Sequence, residues 1–276
     1  MEASRSRRYA SFAGRTLVRI GLAILGGFGF LLILQNEIQY NIFDAVFLST
    51  FARLLFSGVM NTLFFMGIVI PTGIVIGFVT GWARVSKYKF LSYPATAYVD
   101  VIRGIPLIVL VLFAYFFGPF IVPGLFGFTD VGKFFAALAL ALHTGAYQAE
   151  IFRAGFQSVP KGQLEAAVAV GLTRGQAVGY VVMPQMFRLI LPALANELAS
   201  VAKDTSFLSI IGAMELFGNA RSGTQIAIYN FGRLDWVFGL WTITAVLYLL
   251  LTLALSKSLQ HVERRYLVPG LGSVSA

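Results

Sequence analysis

His143, Tyr147 and Glu150 recur at i, i+4 and i+7, which puts an imidazole, a phenol and a carboxylate on one face of any helix that carries them. Such a set could exchange protons, yet no nucleophile or metal-binding group converges with it. His143 also fits the pattern of a core histidine, and Glu150 lies close enough to the end of its apolar run to be solvated. A second set, Asn196, Glu197, Ser200, Lys203 and Asp204, falls within a sector about 120° wide on a helix, with Leu194, Leu198, Val201 and Ala202 largely opposite. That face either lines a polar path or makes a polar helix contact in which Lys203 pairs with a carboxylate to lock the bundle. Asp100 and Arg103 are i, i+3 neighbours able to neutralise one another, with substrate contact as the alternative. The chain has no cysteine and two distant histidines, His143 and His261, so catalytic thiols, disulfides and metal centres are not expected.

These residues need elements to hold them, and composition says what kind. Of 276 residues, 58% are hydrophobic and 12% charged, which excludes an ordinary soluble domain. A hydrocarbon core of about 30 Å takes roughly 20 apolar residues in helix. Six stretches qualify, near Leu17 to Leu34, Ser57 to Trp82, Ala95 to Phe117, Phe134 to Phe152, Phe187 to Ile211 and Trp236 to Ser256. With these spans alternating, 15 of the 21 Lys and Arg fall on one side and Arg53, Lys133, Arg221 and Arg233 on the other, while Arg103 and Lys203 lie inside spans. The positive-inside rule makes the first side, and both termini, cytoplasmic. The net charge of +9 is therefore read as membrane orientation, not as nucleic-acid binding. The first span follows a basic run as a signal peptide would, but Gln35-Asn36-Glu37 offers no small-residue cleavage site, so it reads as an anchor helix. Gly73, Gly77 and Gly81 repeat every fourth residue, the spacing of close helix contacts, although glycine is common in membrane helices in any case. Gly127 to Phe134 imitates a phosphate-binding loop, one residue short, with Phe134 where the Mg²⁺-holding hydroxyl belongs, and is set aside.

Between the fourth and fifth spans, Gln157 to Gln185 is polar and punctuated like two short helices. Pro160 suits a helix start, Gly171 a left-handed C-cap, and Thr173 with Gln176 a capping box, while Pro184 is expected to close the second helix. Glu165-Ala166-Ala167, three residues, Gly171, nine residues, then Val181-Val182-Met183-Pro184 resembles the EAA loop of ATP-binding-cassette (ABC) importer permeases. Val181 and Met183 depart from the usual Ile and Leu, both apolar exchanges. The resemblance extends from about Phe51 to Leu259. Ile102-Arg103-Gly104-Ile105-Pro106-Leu107 is similar to the R-G-x-P-L signature of the polar amino-acid uptake branch. Ala154 to Gln163 is similar to that branch's approach to the loop, with Ala154 in place of an arginine, and Lys203 to Ser209 is similar to its K-D-T-S-L stretch, followed by Glu215-Leu216.

The resemblance implies an all-α integral membrane protein with the fold of a type I ABC importer transmembrane domain: six helices and a cytoplasmic helix-turn-helix coupling loop. Residues 1–16 would be a cytoplasmic tail, 17–35 an anchor helix, 51–259 the permease domain with its coupling loop at 157–185, and 260–276 a second tail. Glu165, Ala166, Ala167, Gly171, Thr173, Gln176 and Pro184 would couple to a separate ATPase, which alone would bind ATP and Mg²⁺. The chain itself would need no cofactor and catalyse nothing. Its other partners would be a second permease, identical or related, an external amino-acid-binding protein and membrane lipid. Arg103, His143, Glu150, Asn196, Glu197, Ser200, Lys203 and Asp204 would line the path of a polar amino acid, with an acidic one or its amide slightly favoured and a cationic one open. The alternative is an ion-coupled secondary transporter, whose folds usually carry internal repeats not evident here.

Overall fold

The structure, a computed structural model, describes residues 44–122 and 131–266 together with Gly26, Gly27 and Gly29. The expected anchor helix apart from those three glycines, both tails for the most part and the start of the Gly127 to Phe134 stretch lie outside these residues. Among the described residues every regular element is helical. We number them α1 (Ala45–Arg84), α2 (Lys89–Gly104), α3 (Leu107–Ile121), α4 (Val131–Ser158), α5 (Lys161–Ala169), α6 (Arg174–Ala177), α7 (Met183–Asp204), α8 (Leu216–Tyr229) and α9 (Leu234–Tyr266). A π-helical turn, Val178–Val182, joins α6 to α7, and a 3₁₀ segment, Thr205–Ile211, follows α7.

The chain divides into two units, residues 1–51 with 223–242 and residues 52–222 with 243–276. In the first, Asp44 caps α1 by accepting the Val46 amide at 2.8 Å and that of Phe47 at 3.2 Å. Phe47, Phe51 and Phe231 pack around the Trp236 ring, and the Arg233 guanidinium lies 4.6 Å from its centroid. The second unit holds the polar faces and the helix-turn-helix.

Three helical stretches are long and apolar enough to cross a membrane, Ala45–Arg84, Arg174–Ile211 and Leu234–Leu259, and α2 with α3 would make a fourth if the pair counts as one span. That pair is bent by 105°, so the expected straight span from Ala95 to Phe117 does not form. The cause is local. Ile105 precedes Pro106 and is extended (φ −101°, ψ 133°), as the clash with a following proline ring demands, and the helix restarts only at Leu107. The expected fourth span falls on α4, a helix of 28 residues that carries His143, Gln148 and Glu150 and is not among those apolar enough to cross a membrane by length and composition. It needs no continuous apolar surface, because α4 is enclosed: Leu140, Ala146, Gln148, Ala149 and Phe152 are all fully buried.

The glycine stripe is what lets α4 be enclosed. A Cβ at Gly73 would lie 3.0 Å from Thr144 Cγ2, one at Gly77 2.6 Å from Gln148 Cβ, and one at Gly81 2.7 Å from Phe152 Cβ and 2.8 Å from the Ala149 carbonyl. The small-residue reading therefore holds, and α1 meets α4 along three successive turns. Gly77→Ala should cost about 1–3 kcal/mol, as overpacking does. The detergent-solubilised protein should melt several degrees lower, while Gly67→Ala, on the same helix with open space at its Cβ, should leave the melting temperature unchanged.

Candidate functional site

The helix-turn-helix is built by turn chemistry within a dozen residues. At the end of α5 the chain reverses through Gly171, whose φ of +98° is left-handed. The Gly171 amide donates to the Val168 carbonyl at 3.0 Å and the Leu172 amide to the Ala167 carbonyl at 3.2 Å, the paired bonds of a Schellman cap. Thr173 then opens α6: its hydroxyl accepts the Gln176 amide at 3.3 Å, and the Gln176 side chain accepts the Thr173 amide at 2.9 Å. Ala167 and Ala177 are buried, whereas Glu165, Ala166, Gly171, Thr173, Gln176 and Pro184 are exposed.

One expectation fails. Pro184 does not close the second helix, because the π turn carries the chain into α7 with the Met183 amide bonded to the Val178 carbonyl, and Pro184 falls in the first turn of α7. Composition also gave no sign that Val170 and Tyr180 would stand out from the knob, 81% and 74% exposed.

The polar sector of α7 is where the spacing placed it. Leu194, Leu198, Val201 and Ala202 are buried on one face, while Asn196 and Lys203 are exposed and Glu197, Ser200 and Asp204 partly so on the other. Among the described residues Lys203 forms no ion pair within 4 Å, so the carboxylate partner that a lock requires is not supplied by this part of the chain.

On α4, His143 and Tyr147 rings lie 4.8 Å apart, and the Arg103 guanidinium stacks 4.9 Å from the Tyr147 centroid. Glu150 is not simply solvated. It pairs with Arg84, bonds Arg153 at 2.6 Å, and has Arg103 at 3.9 Å. The expected Asp100 to Arg103 pair is replaced: Asp100 faces Arg84 at 4.0 Å, and Arg103 turns toward α4, where an aromatic face and a carboxylate both stabilise its charge.

Three groups escaped the sequence reading. Arg84, nearly buried at the end of α1, is a main partner of Glu150, and no single-helix spacing joins residues 66 positions apart. Gln148 is fully buried with neither amide atom bonded among the described residues, and beside it the Thr144 hydroxyl is equally unbonded. Glu215 is buried before α8, accepting the Phe217 and Gly218 amides at 2.9 and 2.6 Å and the Tyr248 hydroxyl at 2.7 Å. Burial pushes its carboxyl up, against the opposing pull of these donors.

Comparison with known proteins gives the family. Residues 73–268 match the family described as binding-protein-dependent transport system inner membrane component. The glutamine transport system permease protein GlnP of Escherichia coli is 37% identical over 213 residues, covering 77% of this chain and 92% of its own length. The L-cystine transport system permease protein TcyB of Bacillus subtilis is 35% identical over 193 residues, covering 70% of this chain and 78% of its own. Among solved structures, one described as an amino acid ABC transporter with histidines superimposes with a TM-score of 0.67 at 34% identity, over 80% of this chain and 98% of that one. The chain thus belongs to the inner-membrane components of binding-protein-dependent transport systems, the non-catalytic permease subunits of ABC importers.

Proposed function

We propose that the chain carries a polar amino acid inward, with an amide or acidic side chain favoured, and that its α5–α6 knob passes the motion of an ATPase to the membrane helices. The observation that carries the coupling reading is the knob itself, a Schellman turn at Gly171 followed at once by the Thr173 capping box, at the spacing of the EAA loop. Glu165, Ala166, Gly171, Thr173, Gln176 and Pro184 form its outer surface, Ala167 anchors it, and Val170 and Tyr180 add the apolar contacts that a docking face uses. The ATPase holds ATP and Mg²⁺. A second permease, identical or related, completes the path, and an external binding protein delivers the cargo. The charge asymmetry supports the cytoplasmic membrane as the location, with the knob and both termini inside.

For the cargo, GlnP and TcyB are named for glutamine and L-cystine, both polar amino acids. Arg103 and Lys203 offer cations for a carboxylate, Glu150, Glu197 and Asp204 offer anions for an ammonium, and His143, Asn196 and Ser200 offer neutral hydrogen bonds. ATP binding closes the ATPases, the knobs follow, and the helices exchange one open side for the other.

Two measurements test this. Gly171→Val adds a Cβ that meets nothing within 4 Å, so its whole cost is the left-handed backbone, about 1–2 kcal/mol. The inserted protein should keep its membrane yield but lose substrate-stimulated ATP hydrolysis and uptake, and Gly171→Asn, which tolerates that backbone, should retain more of both. Normal uptake by the valine variant would sink the coupling role. Lys203→Met should leave the melting temperature and basal hydrolysis unchanged while uptake falls about tenfold, the loss of about 1.4 kcal/mol. A large drop in melting temperature with uptake retained would instead make Lys203 a lock.

A further inference from the structure

The bent pair divides where composition changes. Helix α3 has no charge in its 15 residues. Helix α2, turned 105° from it, carries Lys89, Asp100 and Arg103, each costly at membrane depth.

Around α2, at 3.6 residues per turn, three sectors follow one another. Val99 is buried, and on the same side the Tyr98 hydroxyl donates to the Leu142 carbonyl of α4 at 2.6 Å. Next comes a polar flank with Lys89, Thr96, Asp100 and Arg103. Last is a stripe of exposed apolar residues at i, i+4, i+7 and i+11, Phe90, Pro94, Ala97 and Val101, with Phe90 73% exposed. Aromatic and basic groups gather at the start of this helix. Trp82, Tyr88 and Tyr93 are exposed, the Lys87 ammonium stands 5.1 Å from the Tyr88 ring centroid, and that of Lys89 stands 5.9 Å from the ring of Tyr93. Aromatic rings paired with lysine are the chemistry of a headgroup layer. The crook of the bend is apolar as well: Ile102, Ile105, Val109, Phe113, Ala139 and Leu142 help to line a cavity of about 370 Å³, space suited to acyl chains more than to water.

We propose that α2 is an interfacial helix lying in the plane of the membrane surface, with the Phe90, Pro94, Ala97 and Val101 stripe in the acyl boundary and Lys87 and Lys89 on anionic lipid headgroups. Arg84 and Arg103 are held inward by Glu150, which leaves Lys87 and Lys89 as the exposed cations at the start of α2, a pair that matches an anionic lipid surface better than a second copy of the same basic helix. A helix so placed would hold the α1 to α3 corner at a fixed depth while the rest of the bundle moves. The proposal rests on the family's membrane setting and not on the cargo or the knob.

The chain's lack of cysteine permits a direct test. Single Phe90→Cys, Pro94→Cys, Ala97→Cys and Val101→Cys variants of the full chain, nitroxide-labelled in 3:1 phosphatidylcholine to phosphatidylglycerol vesicles, are compared for accessibility to oxygen and to a nickel chelate. An in-plane helix gives all four labels one depth, about 5–10 Å into the boundary. A spanning helix gives depths that change by about 16 Å from Phe90 to Val101, at about 1.5 Å per residue, which would overturn the proposal. So would labels open to the nickel chelate throughout, or labels shielded from both reagents and broadened by a second spin, the signature of a second copy on the stripe. Any of these results leaves uptake and coupling as separate questions, read by the Gly171 and Lys203 variants.

Discussion

The approach of α1 to α4 along Gly73, Gly77 and Gly81 is the constraint on which the second unit depends. With lipid tails as apolar as leucine, burial against hydrocarbon gives membrane helices little reason to associate, and close van der Waals contact has to supply it. Here the contact is reciprocal. Gly145 of α4 receives Ile76 of α1, whose Cγ2 would stand 2.7 Å from a Cβ at that position. Only with both backbones bare at these points does α4 become an enclosed helix, and only an enclosed helix can afford a face of imidazole, phenol, carboxamide and carboxylate.

Enclosure then determines the electrostatics. Glu150 sits near the end of α4, one turn before Gly155, and collects guanidinium groups from three helices, Arg84 of α1, Arg103 of α2 and Arg153 of α4 itself. A carboxylate shared in this way ties the ends of α1 and α2 to the helix that leads directly through Pro160 into the knob. The buried carboxamide of Gln148 lies midway along the same helix, beside the glycine contact.

What could be read from the sequence was whatever local chemistry decides. The Gly171 reversal and the Thr173 capping box involve neighbours no more than five residues apart, and both formed as the residue types dictated. The apolar face of α7 likewise follows from period alone. Tertiary choices were less legible. Arg103 has Asp100 three residues away on its own helix and still turns to Tyr147 and Glu150, since a partner on another element is invisible to spacing. The 105° bend has a local signal in Ile105-Pro106, set within an apolar run long enough for one straight span. Pro184 misled for a related reason: a proline that ends one helix and one that begins the next look the same until the intervening turn is known.

That intervening turn sets a phase. In Val178–Val182 the backbone bonds five residues back, so the stretch holds one residue more than an α-helix of the same rise. Each residue of an α-helix turns the chain by about 100°. Were this stretch to tighten to α pitch with no residue removed, Asn196 and Lys203 would swing by that angle relative to Glu165 and Gly171. The alignment of the helix-turn-helix and the polar face is thus a matter of counting, held by a single surplus residue.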